Sequence, residues 1–301
     1  MSKDIFKTTK KTGLAIFYAF IAAVFYALNA PGSKILLEGV EPKMLAGLLY
    51  LGAGLGIGFM SLFRKSESQE RLSGKDMPFV VGMVVLDILA PIFLMVGLSL
   101  TDAATVSLLN NFEIVATTLV ALLFFREKVS GKLWIGIALV TVSSILLSCD
   151  FSSGFDFTPG ALLVLAAAVC WGFENNCTRM LSSKNTFQIV FIKGIFSGTG
   201  SVVAALVTGE VFPGLKYIVF ALLLGFVAYG LSIFFYIRAQ NGIGASKTSA
   251  YYAVAPFIGA LLSFVLLKEN PGANFVPAFL IMVVGTAVVV WDTLSAQSSE
   301  R

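Results

Sequence analysis

The chain has 301 residues, of which 57% are apolar types and only 13% are charged, with a mean hydropathy of +0.89. A soluble domain carries about 25% charged residues, so composition excludes a water-solvated globule and makes lipid the solvent for much of the surface. The net charge of +4 comes from short basic clusters between apolar runs, where orientation signals belong, and gives no footprint for nucleic acid.

A spanning helix needs about 20 apolar residues. The N-terminal MSKDIFKTTKKTG leads into an apolar run, 13–31, that passes signal-peptide length without a small-residue cleavage site and reads as a retained first helix. It carries Asn29, followed by Pro31-Gly32, a pair that either breaks the helix and frees carbonyls for a ligand or marks its end. The second span, 44–63, contains GAGLGIG at Gly52–Gly58. No Lys-Ser/Thr follows it, so close helix packing is expected there rather than a phosphate loop. The third, 77–99, holds Asp87 four residues before Pro91. In the fourth, 103–125, Asn110, Glu113 and Thr117 recur at helical spacing beside Asn111. Such a polar face lines a cavity or bonds neighbouring helices.

The fifth span is 132–149 and the sixth 159–181. The sixth carries WGFENNCTR, which places Trp171, Glu174, Asn175 and Thr178 on one face, an apolar wall with polar contacts that suits a small-molecule pocket. The dull alternative is an interfacial Trp at a polar helix end, which fits Arg179 and fits Glu174 poorly. The seventh span, 187–208, buries Lys193; the eighth, 215–238, aligns Tyr229, Ser232 and Tyr236; the ninth, 245–267, carries Tyr251, Tyr252 and Pro256; the tenth is 274–291. The tightest connections are Leu100–Asp102 and NGIG at Asn241–Gly244.

With the N-terminus inside, 16 Lys and Arg fall on inner segments and 4 on outer ones, Lys193 lying within a span. That asymmetry puts both termini in the cytoplasm. The halves also repeat. Ala22–Asn29 lies over Ala167–Glu174, Lys34 over Arg179, Arg126-Glu127 over Lys268-Glu269, Ala103 over Ala245 and Ser107 over Ser249. Residues 1–150 and 151–301 are therefore expected to be related halves of five spans each. An odd count turns the second half over in the membrane, and inverted repeats place a substrate site near the midplane, opened alternately to each side. The expected fold class is an all-α polytopic membrane protein.

These elements resemble the drug/metabolite transporter superfamily, in its EamA-like ten-helix branch, over about residues 13–291. The resemblance rests on the paired repeat, on Glu127 and Glu269 closing the fourth helix of each half, and on the small-residue helix that follows. The proline usual in that fourth helix is present as Pro256, whereas the first half has Ile114. Membership would imply a multi-pass protein of the inner (plasma) membrane with cytoplasmic termini and a central cavity. It would imply transport of small metabolites, often outward.

The residues themselves suggest a secondary carrier for a small polar metabolite, with an amino acid or related zwitterion leading and an organic cation as the alternative; the resemblance implies export, of the amino acid or, in the alternative, of organic cations by a multidrug exporter. The expected substrate-binding residues are Asn29, Asn110, Asn111, Glu113, Trp171, Glu174, Asn175 and Tyr252. Asp87, Glu113, Glu174 and Lys193 are the candidates for a proton or charge relay. A channel would need a continuous polar lining, while these polar faces are mid-membrane patches. An enzyme would need a convergent nucleophile or metal set. The chain has no His, and Cys149, Cys170 and Cys177 show neither disulfide nor metal spacing, so no cofactor or metal is called for. Lipid and a small-molecule substrate are the expected partners, and small-xxx-small patterns in the fifth and tenth spans permit a homodimer.

Overall fold

The computed structural model describes residues 2–63, 70–125, 130–150, 156–181, 183–243, 248, 251–269 and 272–299. Among them nine helices are long and apolar enough to cross a membrane: Gly13–Leu36, Pro42–Leu62, Gly74–Leu100, Ala103–Phe124, Gly131–Ser148, Pro159–Leu181, Thr186–Val207, Leu215–Ala239 and Phe275–Asp292. The shorter apolar helix Ala255–Leu267 takes the ninth place in the order. The spans are numbered one to ten below. Arg126, Glu127, Gly244, Ala245 and Ser249 lie outside the described residues.

The packing pairs the halves in a repeating way. Span three lies along span six, and span one along span eight; span four meets span six, and span nine meets span one. Spans two and seven, four and nine, and five and ten pack on each other. Exchanging each span for the one five places later maps this set onto itself. Two related halves around a two-fold axis would be arranged in this way.

Lipid tails are as apolar as leucine, so helices in a bilayer associate through close fit rather than through the hydrophobic effect. GAGLGIG supplies that fit. A Cβ on Gly52 would strike the backbone of Leu222, and one on Gly54 would lie 2.7 Å from the amide N of Ile195. Gly56 and Gly58 face the rings of Phe226 and Phe191. Across the contact, Gly194 lies against the backbone of Gly54, and Gly225 against that of Leu49. Span two is therefore clamped backbone to backbone between spans seven and eight. Gly136 and Gly285 do the same for spans five and ten, so these small residues meet each other within one chain.

Several helices are interrupted. Span one is broken at Leu28 and resumes as Asn29–Leu36, running beyond the expected end at residue 31. Pro31 does not stop it because it sits in the first turn of the resumed segment, where its missing N–H costs nothing. Span four breaks at Asn110-Asn111, between Ala103–Leu109 and Phe112–Phe125. Asn competes for backbone hydrogen bonds and is a poor helix-interior residue. Spans seven and eight each contain a π-helical stretch, Lys193–Ser197 and Phe226–Leu231. Such wide turns shift side-chain direction within a continuous helix.

The Leu100–Asp102 connection is as tight as expected, and Asp102 caps the next helix by accepting from the Thr105 amide at 2.7 Å. NGIG differs. Asn241, Gly242 and Ile243 continue the eighth helix, because Gly242 packs face to face with Ala15 of span one.

Backbone contact at Gly194 leaves no side chain to yield, so Gly194→Val should lower stability by at least about 1–3 kcal/mol. Gly214→Ala, with nothing within 4 Å of its added Cβ, should leave it unchanged. Thermal unfolding of detergent-solubilised protein, followed by size-exclusion recovery, makes the comparison. Equal melting temperatures for the two variants would refute the clamp.

Candidate functional site

The deepest charges belong to three helices. Span three contributes Asp87, span six Glu174, and the π-helical turn of span seven Lys193. The Lys193 Nζ stands 2.9 Å from Glu174 Oε1 and 3.3 Å from Asp87 Oδ2, with the three side chains at most 9% exposed. The contact with Asp87 is an ion pair rather than a hydrogen bond, since Oδ2 has no hydrogen-bond donor. Asp87 Oδ1 accepts from the Tyr50 hydroxyl at 2.9 Å, and the Thr178 hydroxyl donates to Glu174. Two carboxylates and one ammonium thus share a dry volume, an arrangement tolerable only because each charge meets an opposite charge and further hydrogen bonds.

An aromatic row starts at this cluster. Trp171 Nε1 is 3.4 Å from the Tyr50 hydroxyl, and the Tyr50 ring lies 5.0 Å from that of Tyr229. Tyr229 meets Tyr26 edge-on at 6.0 Å, and Tyr26 meets Tyr252 at 5.8 Å. The Tyr252 hydroxyl lies 3.2 Å from Ser232 Oγ, and its ring 5.0 Å from Tyr236. Five helices therefore contribute rings or hydroxyls to one continuous row of contacts. Asn29 joins it by donating from Nδ2 to the Tyr229 hydroxyl at 2.9 Å, while its Oδ1 accepts from Ser33.

Glu113 sits in a second polar contact, where Asn175 Nδ2 donates to its Oε1 at 2.6 Å and to Thr117 Oγ1 at 3.3 Å. Close approach of Gly172 to the backbone of Ala116 and Thr117 brings these helices together.

The structure thus gathers Trp171, Glu174, Asp87 and Lys193 in one cluster, places Asn29 and Tyr252 on its aromatic extension, and pairs Glu113 with Asn175. Asn110 does not share the Glu113–Thr117 face with Asn175, because the break at Asn110-Asn111 turns it toward spans one and nine. Asn111 is buried, and both its side-chain polar atoms lack a hydrogen-bond partner. Sequence reading missed Tyr50 and Tyr26. Its one usable signal for them is that a tyrosine in an apolar span must find a partner for its hydroxyl.

Both ends of the bundle are tied. At one, Lys34 Nζ donates to the carbonyls of Leu98 at 2.7 Å and Thr101 at 2.5 Å. There, Glu269 accepts from the amides of Ala103 and Ala104, and Glu210 from those of Lys43 and Met44. At the other end, Lys184 pairs with Glu70 at 2.8 Å and with Asp76 at 3.7 Å.

Comparison with known proteins decides the family. The sequence model of the EamA-like transporter family matches twice, over residues 13–149 and 158–291. The chain belongs to the EamA-like transporter family. This EamA-like chain is a multi-pass membrane transporter rather than an enzyme. It is 26% identical over 292 residues to a protein of Methanothermobacter thermautotrophicus named "Uncharacterized transporter", covering 90% of this chain and 84% of that one. It is 24% identical over 283 residues to an Escherichia coli protein named "Probable amino-acid metabolite efflux pump", covering 88% and 91% respectively. A solved crystal structure shares the fold with a TM-score of 0.66 at 20% identity, over 91% of this chain and 94% of that one.

Removing Lys193 leaves two buried carboxylates facing each other. Lys193→Met should therefore cost about 3–5 kcal/mol of stability, and adding Glu174→Gln should recover much of that loss. Unfolding temperatures of the single and double variants test the coupling. A double variant no more stable than the single would show that the three charges are not one unit.

Proposed function

We propose that this EamA-like transporter is a secondary carrier that exports an amino acid or a related amine-bearing zwitterion by alternating access. The observation that carries the reading is Lys193 Nζ held between Glu174 and Asp87 beside the Trp171 indole. A lysine ammonium in that place marks where a substrate ammonium would be stabilised, and it can trade positions with one. The indole and the tyrosine row supply an apolar wall, and Asn29, Asn175 and Tyr252 supply neutral polar contacts for the rest of the solute. The name of the Escherichia coli relative points to the same substrate class. Alternating access is supported by the exchange relation between the halves and by polar ties at both ends that would release in turn. With no His in the chain, the buried carboxylates are the proton carriers on offer.

A second reading, export of an organic cation, is favoured by the excess of carboxylates over ammonium in the cluster and by five tyrosine rings in a row, which attract cations through their faces. The same assay separates the two. Purified protein in proteoliposomes should show saturable counterflow of an amino acid, with lipophilic cations inert. Glu174→Gln and Glu113→Gln should each reduce that flux at least tenfold while expression and size-exclusion profile hold. Flux confined to lipophilic cations would transfer the protein to the second reading. Wild-type flux in both variants would remove these carboxylates from the site.

We place the chain in the inner (plasma) membrane with cytoplasmic termini, on the 16-to-4 distribution of Lys and Arg. A green fluorescent protein fused at the C-terminus should fluoresce, and alkaline phosphatase fused there should be inactive. The reverse pattern would invert the orientation.

A further inference from the structure

Away from the charged cluster, three interrupted helices come level with one another. Span one breaks at Leu28, span four at Asn110-Asn111, and the helix before Ala255 gives way to turn at Ala253-Val254. Between them lies a small cavity of about 10 Å³, lined by Ala27, Asn29, Ser107, Asn110, Pro256 and Gly259 among others. That is room for about one water molecule or one small ion.

Its lining carries unspent oxygen. Ser107 and Asn110 are 3% and 6% exposed, and Ser107 Oγ and Asn110 Oδ1 have no hydrogen-bond partner. Native interiors seldom leave such atoms alone, because each costs desolvation with nothing in return. A backbone carbonyl adds to them. Pro31 has no N–H for the carbonyl of Ala27, four residues earlier. The Ala27 carbonyl and Ser107 Oγ both face Gly259, at 3.3 and 2.9 Å from where its Cβ would stand. Among the described residues, no carboxylate or Cys lines the cavity.

We propose that this cavity is a binding site for a dehydrated monovalent cation of sodium size, held by Ser107 Oγ, Asn110 Oδ1 and the Ala27 carbonyl freed at the break in span one. Neutral hydroxyl, amide and carbonyl oxygens suit a singly charged hard cation, whereas calcium and magnesium sites draw on carboxylates. Broken helices that turn carbonyls toward a coupling ion are a recurrent device of secondary carriers. A sodium ion here would tie span one to spans four and nine, and its departure would free them to separate. The cavity shares no residue with the Lys193 cluster but borders the aromatic row at Tyr26 and Asn29, so sodium binding is measured apart from any exported solute.

The test uses purified full-length protein without any organic substrate. Its melting temperature is measured in sodium, potassium and choline chloride at equal ionic strength, and binding of radioactive sodium is followed by scintillation proximity. Sodium should raise the melting temperature saturably over choline, and bound radioactive sodium should be displaced by cold sodium but not by potassium. Ser107→Ala and Asn110→Ala should each weaken sodium at least tenfold. Gly259→Ala should do the same by filling the space while removing no oxygen. A wild type that binds no sodium saturably, or that prefers potassium, overturns the site and leaves a water-filled gap. Folded variants that keep wild-type sodium affinity overturn it as well. Should one variant fail to fold, the other two and the wild-type measurement still decide.

Discussion

A lysine and two carboxylates buried in a lipid-solvated bundle must answer one another, and that requirement shapes the surrounding helices. Lys193 reaches Glu174 and Asp87 only because spans three, six and seven converge at one depth. Tyr50 and Thr178 take up further lone pairs of the same carboxylates. Each group would be costly alone. Together they set two carboxylates against one ammonium.

Convergence of this kind needs helices that approach more closely than ordinary side chains allow. Gly97 and Gly160 provide it between spans three and six, and Gly194 and Gly225 seat spans seven and eight on span two, with backbone resting on backbone. The price in a helix is intrinsic weakness at glycine. It is offset here by packing, and the wide turns that begin at Lys193 and Phe226 follow directly after or beside these contacts. Close approach and altered winding thus occur together, and they aim Lys193 and Tyr229 into the interior.

The spans were legible in the sequence because period and hydropathy act locally. So was the burial of Asp87, Glu174 and Lys193, which stand out against an apolar background. The pairing of Lys193 with Asp87 was not, since contact between residues on different spans depends on crossing geometry that no spacing encodes. Nor was the break at Asn110-Asn111. The helical-face reading of Asn110, Glu113 and Thr117 assumed continuous winding, and two adjacent asparagines withdrew it. The NGIG stretch misled for the opposite reason. Glycine signals a turn in water, but against Ala15 it serves as a contact surface. Tyr50 and Tyr26 left almost no trace, because a tyrosine in an apolar run looks like any other aromatic filler.

Glu210 and Glu269 both belong to the second half of the chain, and both cap helices of the first, at Lys43-Met44 and Ala103-Ala104. During synthesis the first five spans enter the bilayer before either glutamate has been translated. Spans two and four must then wait with amide groups open at their starts. The nascent first half is an unfinished object, completed by residues made a hundred or more positions later. Chain order thus sets the order of assembly, and the late-arriving carboxylates close it.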